Sequence, residues 1–119
     1  MKMAEVRKIP VTKDNLWFLQ KQISVFDMLE FFPRDAIGGP GEKPDPNAKL
    51  LTIRTDAGFT IQTDIRRDRM TLRNRSKISG TSKWMVERQV REGDYICFEK
   101  LSDYEYYMYK EGPGEEKGQ

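Results

Sequence analysis

With 119 residues, 34% of them charged, a mean hydropathy of -0.77 and a formal net charge of only +2, the chain is about one domain long and can bury a core without disulfides or metal. It has no histidine and one cysteine, which excludes Ser-His-Asp and Cys-His chemistry, histidine-based nuclease sites, Cys/His zinc sites and an internal disulfide. No apolar run approaches the roughly 20 residues that span a bilayer, and Met1 to Glu5 lacks the apolar segment of a signal peptide, so a cytoplasmic location is expected.

From Val6, the run through Ile9-Pro10-Val11 reads as a short strand that gives way to a turn at Thr12-Lys13-Asp14-Asn15, since Asp and Asn bond the local backbone. A polar segment with two aromatics, Trp17 and Phe18, leads to Ile23 and Val25, whose alternation predicts a strand, although Leu16 to Met28 also fits a helix. Phe31 to Gly39 predicts one or two helical turns, with Pro33 in the first turn, Gly38 as the stop, and Phe31, Phe32 and Ile37 entering a core. Gly38 to Asn47 turns to Gly, Pro and charge and reads as a surface loop.

Leu50 to Arg54 and Phe59 to Ile65 flank Thr55-Asp56-Ala57-Gly58, the composition of an antiparallel hairpin, with Phe59, Ile61, Thr63 and Ile65 sharing one face of its second strand. Arg66-Arg67-Asp68 reads as an exposed connection. A strand from Met70 to Ile78 then places Met70, Leu72 and Ile78 on one face and Arg73, Arg75 and Lys77 on the other. Ser79-Gly80-Thr81-Ser82 offers capping hydroxyls for a helix from Lys83 to Val90 that buries Trp84 and Met85 and stops by Gly93. A last hairpin pairs Tyr95 to Leu101 with Tyr104 to Tyr109, and Cys97, between Ile96 and Phe98, reads as a small core residue. Residues 112–119 read as a disordered tail after a domain spanning 1–111. Short strands with two short helices predict a mainly β barrel or sandwich.

Charge is concentrated between Arg66 and Arg91, and much of the acidic compensation follows it. A cationic face in a nearly neutral protein is the footprint of polyanion binding. Arg66, Arg67, Arg69, Arg73, Arg75 and Lys77 are the candidate contacts on this segment, able to meet phosphates and, through guanidinium forks, guanine edges. Lys13, Asn15, Gln20, Lys21 and Gln22 around Trp17 add the amides that read base edges and an aromatic able to stack or wedge. Pro44-Asp45 and Glu115-x-Lys117 echo a metal-dependent nuclease pattern but fall in a loop and a tail, where ligands are not held rigidly, so no enzymatic activity is expected.

The order of these features resembles the B3 DNA-binding domain of plant transcription factors and of the recognition domains of certain restriction endonucleases. The matching pieces are Val11-Thr12-Lys13-Asp14-Asn15-Leu16, then Ile23-Ser24-Val25 with Phe32-Pro33-Arg34-Asp35-Ala36, then Gly58-Phe59-Thr60-Ile61, and finally Trp84-Met85-Val86 followed by Val90-Arg91-Glu92-Gly93-Asp94-Tyr95-Ile96-Cys97-Phe98. Phe59 stands where the plant pattern has Trp, and the Gly/Pro insertion departs from it too, favouring a prokaryotic-type relative. The resemblance implies a seven-stranded open pseudobarrel that grips the major groove of double-stranded DNA with two arms. These correspond to Thr12 to Gln22 and Asp64 to Lys77. It further implies a module without cofactor, a monomer or weak dimer, serving a restriction, defence or regulatory system with a separate catalytic partner subunit. The alternatives are a small β-barrel RNA-binding protein, in which Tyr104, Tyr106, Tyr107 and Tyr109 stack unpaired bases, and a module whose basic face binds an acidic protein.

Overall fold

The computed structural model of the chain describes residues 5–41, 46–75 and 79–113. Eight strands, two α-helices and two 3₁₀ turns follow one another in it: β1 (Glu5–Pro10), α1 (Leu16–Leu19), β2 (Ile23–Ser24), 3₁₀ turns at Phe26–Phe31 and Arg34–Ala36, β3 (Leu51–Thr55), β4 (Thr60–Thr63), β5 (Ile65–Arg66), β6 (Thr71–Leu72), α2 (Thr81–Glu87), β7 (Tyr95–Lys100) and β8 (Glu105–Glu111).

The strands form one five-stranded sheet, β1-β7-β8-β3-β4, and one three-stranded sheet, β2-β6-β5, which is an open, mainly β pseudobarrel. All neighbours in the larger sheet are antiparallel except β3 and β8, which run parallel with Ile53 opposite Tyr106. The strand count exceeds the expected seven because the run Phe59 to Ile65 is broken at Asp64: β4 belongs to the larger sheet and β5 to the smaller.

Apolar side chains of both sheets and of α2 fill the interior. Phe31, Phe32, Phe98 and Tyr106 form an aromatic cluster in which Phe31 meets Phe32 edge-on at 5.4 Å and Phe32 lies 4.9 Å from Tyr106. Trp84 is fully buried, and its indole N–H donates to Asp56 Oδ1 at 2.8 Å. Asp56 Oδ2 also accepts from Arg88 Nε and from the Lys110 backbone N–H, both at 3.0 Å, so one carboxylate in the hairpin turn fastens α2 to β8. Buried polar atoms must find partners, and among the described residues every buried side-chain N or O has one.

Several boundaries differ from expectation. The helix expected over Lys83 to Val90 occupies Thr81–Glu87, with Gly80 rather than a hydroxyl residue at its N-cap; the Thr81 hydroxyl is drawn away to Asn74. It ends before Gly93, as Gln89 already takes a left-handed φ of 49°. Gly93, at φ 98°, serves the turn into β7, where Asp94 accepts from the Arg91 N–H. Gly38, expected in a surface loop, is buried and donates its N–H to Ile65 O at 2.8 Å, so the start of that loop is part of the fold. Cys97 is buried in β7, and burial pushes its thiol up to about 11. The nuclease-like Pro44-Asp45 and Glu115-x-Lys117, the end of the strand expected at Met70 to Ile78, and residues 114–119 of the expected tail lie outside the described residues. No helix among the described residues is long and apolar enough to cross a membrane.

Candidate nucleic-acid interface

The first arm begins where β1 leaves its sheet. Thr12 and Asn15 cap each other: Asn15 Oδ1 accepts from the Thr12 N–H at 2.8 Å, and Thr12 Oγ1 accepts from the Asn15 N–H at 3.2 Å. This reciprocal bonding satisfies amides that a short helix leaves open. Asn15 Nδ2 also donates to Pro10 O at 2.9 Å, tying α1 to the end of β1. Asn15, expected to read base edges, is therefore spent on the turn. On the helix it holds, Leu19 is buried while Trp17 is 61% exposed. Trp17 packs edge-on against Phe18 at 5.8 Å, and Lys21 Nζ lies 5.7 Å over its ring. Lys13, Gln20 and Lys21 are exposed, and Gln22 is half-buried with Oε1 accepting from the Thr71 hydroxyl at 2.9 Å.

The second arm is the β5–β6 hairpin and the chain that follows it. Its turn leaves Arg67 and Arg69 exposed and closes at Met70, whose φ of 52° is left-handed and whose N–H donates to Arg66 O at 2.7 Å. Arg66, expected in an exposed connection, is buried instead, with a fork to Asp68: Nε to Oδ1 at 3.1 Å and Nη2 to Oδ2 at 2.9 Å. The Arg66 hydrogen bond holds the Asp68 carboxyl down at about 2.

The expected row Arg73, Arg75 and Lys77 does not stand as an exposed cationic face. β6 ends at Leu72, and Arg73 is only 2% exposed. Its guanidinium binds both oxygens of the fully buried Asp64, Nε to Oδ1 at 2.9 Å and Nη2 to Oδ2 at 3.2 Å. It also donates to Gly39 O at 2.9 Å and to Gly41 O. The reason is the break at residue 64: a carboxylate inside the fold needs a counter-ion, and the cation opposite it in the ladder supplies one. Asp64 is thus a buried anchor. Arg75 reaches the same Asp64 Oδ1 through Nη1 at 3.1 Å with its side chain 26% exposed. Lys77 lies outside the described residues.

The two arms meet. β2, which directly follows the first arm, pairs with β6 of the second, Ile23 opposite Leu72, and an open cleft of about 210 Å³ between the arms is lined by Lys21, Gln22, Arg66, Leu72, Arg73 and Asn74. Asn74 is the joint that sequence reasoning missed. Its Nδ2 donates to Lys21 O at 2.7 Å and Ser82 Oγ at 3.1 Å, and its Oδ1 accepts from the Thr81 hydroxyl at 3.0 Å and the Ser82 N–H at 3.2 Å. The available signal was an amide on the face that Met70, Leu72 and Ile78 were expected to share. Among the described residues no cluster of His, Cys, Asp or Glu is placed to hold a metal ion.

Other solved chains share this fold. A hypothetical Arabidopsis thaliana protein, At1g16640.1, superposes with a TM-score of 0.56 at 16% identity, over 92% of each chain. The N-terminal domain of Helicobacter pylori LlaJI.R1 superposes with a TM-score of 0.55 at 11% identity, over 89% of this chain and 86% of that one. The fold is B3-like. Neither a family's sequence profile nor a curated protein matches the chain. Tyr106 is buried, the Tyr104 hydroxyl donates to Asp35, and Tyr107 and Tyr109 stack on each other at 5.4 Å.

Proposed function

We propose that this chain is a sequence-specific double-stranded DNA-binding module that takes the major groove between its two arms and carries no catalytic activity of its own. The observation that carries the reading is the cleft that Lys21 and Gln22 line together with Arg66, Leu72, Arg73 and Asn74, on two arms that also expose Lys13, Trp17 and Gln20 on one side and Arg67, Arg69 and Arg75 on the other. Lysine and arginine side chains neutralise phosphates and fix register, while amides and guanidinium forks read base edges. The B3-like fold supports it as well, because two arms so placed straddle a groove. A restriction, defence or regulatory system in the cytoplasm, with catalysis supplied by a partner subunit, is the setting that the resemblance favours for a monomer or weak dimer needing no cofactor.

The test is a titration of labelled duplex DNA and of single-stranded RNA at several salt concentrations. With roughly five phosphate contacts, duplex affinity falls about two to three orders of magnitude between about 50 and 200 mM salt. A flat salt response, or tighter binding of the RNA, overturns the reading.

A further inference from the structure

One carboxylate in this molecule serves two guanidinium groups with different surroundings. Asp64 Oδ1 accepts from Arg73 Nε at 2.9 Å and from Arg75 Nη1 at 3.1 Å, while Oδ2 accepts from Arg73 Nη2 at 3.2 Å. Arg73 alone balances the buried charge and makes four hydrogen bonds, two of them to the Gly39 and Gly41 carbonyls. Arg75 is therefore surplus to charge balance at Asp64, so the trio carries one net positive charge, and that charge sits on the member whose side chain reaches solvent.

An arginine has five N–H donors in a planar fork, and the bond to Asp64 uses one. Among the described residues Arg75 makes only this hydrogen bond. A pair of adjacent donors thus remains free to make the bidentate contact that guanine O6 and N7 accept. The anchored Nη1 fixes the plane of that fork before any ligand arrives, which lowers the ordering cost of the contact. Asp64 itself is 0% exposed and cannot touch a ligand, so it acts only through the arginine.

We propose that Asp64 is a positioning residue that holds Arg75 as a preset guanine-reading fork on the second arm, with Arg73 as its internal counter-ion. The inference rests on the DNA-binding reading above and adds the residue that discriminates and the base it selects.

The experiment begins with selection of a preferred site from random duplexes by the wild-type chain, followed by titration of that site, of the same site with each guanine replaced, and of a scrambled duplex. Arg75→Lys keeps the charge and removes the fork. It lowers affinity for the preferred site roughly 5- to 150-fold, abolishes the preference at one guanine and leaves scrambled-duplex affinity within about twofold. Asp64→Asn has the same effect on that guanine, while scrambled-duplex affinity stays level or rises, because a negative charge has been removed. Combining the two changes costs no more discrimination than Arg75→Lys alone.

Asp64→Asn leaves Arg73 without its counter-ion, so a measurement on the wild-type chain accompanies it: the Arg75 guanidinium protons give separate nitrogen-15-correlated signals in the free protein, as restricted rotation requires. Averaged signals overturn the positioning role, and so do base preferences unchanged in both variants. Equal losses on preferred and scrambled duplex overturn it too, reducing Arg75 to a phosphate contact. A wild-type chain that binds no duplex or selects no site refutes the DNA-binding reading itself, a result separate from these.

Discussion

The two arms meet at one cleft but are built on opposite terms. In the first, a locked turn of Thr12 and Asn15 carries side chains that stand free: Lys13, Trp17, Gln20 and Lys21 are all exposed. In the second, which holds the densest positive charge of the sequence, much of that charge is turned inward. Arg66 forks onto Asp68, and Arg73 disappears onto Asp64 and two glycine carbonyls. Charge in a sequence is thus not charge offered to a partner. Among the described residues the second arm leaves Arg67, Arg69 and Arg75 exposed and uses Arg66 and Arg73 to hold its own shape, so it offers less free charge than its composition implies.

The sharpest way to break this comparison is to truncate one cation in each arm. Arg73→Ala leaves the buried Asp64 carboxylate with a single bond to Arg75 and is expected to cost about 3–5 kcal/mol of stability, whereas Lys21→Ala, on the exposed arm, costs under about 0.5 kcal/mol. Urea denaturation of both variants measures the difference, and equal effects would mean the second arm is not internally fastened. The tryptophans make the next contrast. Trp84→Ala empties the core and costs about 3–5 kcal/mol, while Trp17→Ala costs under about 0.5 kcal/mol by the same denaturation yet weakens duplex binding.

Asn15→Ala sharpens the picture within the first arm. Losing the bonds to Thr12 and Pro10 costs about 1–2 kcal/mol and lowers affinity for preferred and scrambled duplexes alike, since the residue holds the arm but reads no base. The smallest effect is a titration. Asp68 is depressed from 3.8 to about 2, so the stabilisation from its bond to Arg66 is complete above the unfolded value and is lost as pH falls through about 2. Carbon-detected titration of Asp68 should place its midpoint well below 3.8, and a midpoint near 3.8 would mean the fork is not maintained.

Much of the fold was legible because hairpin and core signals are local. Thr55 to Gly58 marked the β3–β4 turn, alternation marked its strands, and Trp84 and Phe98 belonged in the interior. The site was less so. Period-2 alternation from Met70 to Ile78 put the arginines on one face, but it could not report that Asp64 sits across the ladder, since pairing register is a tertiary fact. Likewise Asn15, Gln22 and Arg66 carried the right chemistry for nucleic acid, and each is engaged by a neighbour up to 49 residues away in sequence. Asn74 went unread because an amide that joins three segments looks, in sequence, like any other polar residue.

The order β1-β7-β8-β3-β4 has a consequence for how the chain is made. β8 lies at the centre of the larger sheet, and β1 reaches that sheet only through β7, with Glu5 opposite Lys100. Until β7 has been made, β1 has no edge to join, and until β8 follows from residue 105, the β1–β7 pair and the β3–β4 hairpin remain separate, with no central strand to unite them. Contacts this distant in sequence slow folding, since the chain must close long loops before they reward it. Assembly therefore waits for translation to pass residue 111, and a polypeptide released earlier has cationic segments but no barrel to hold them as arms.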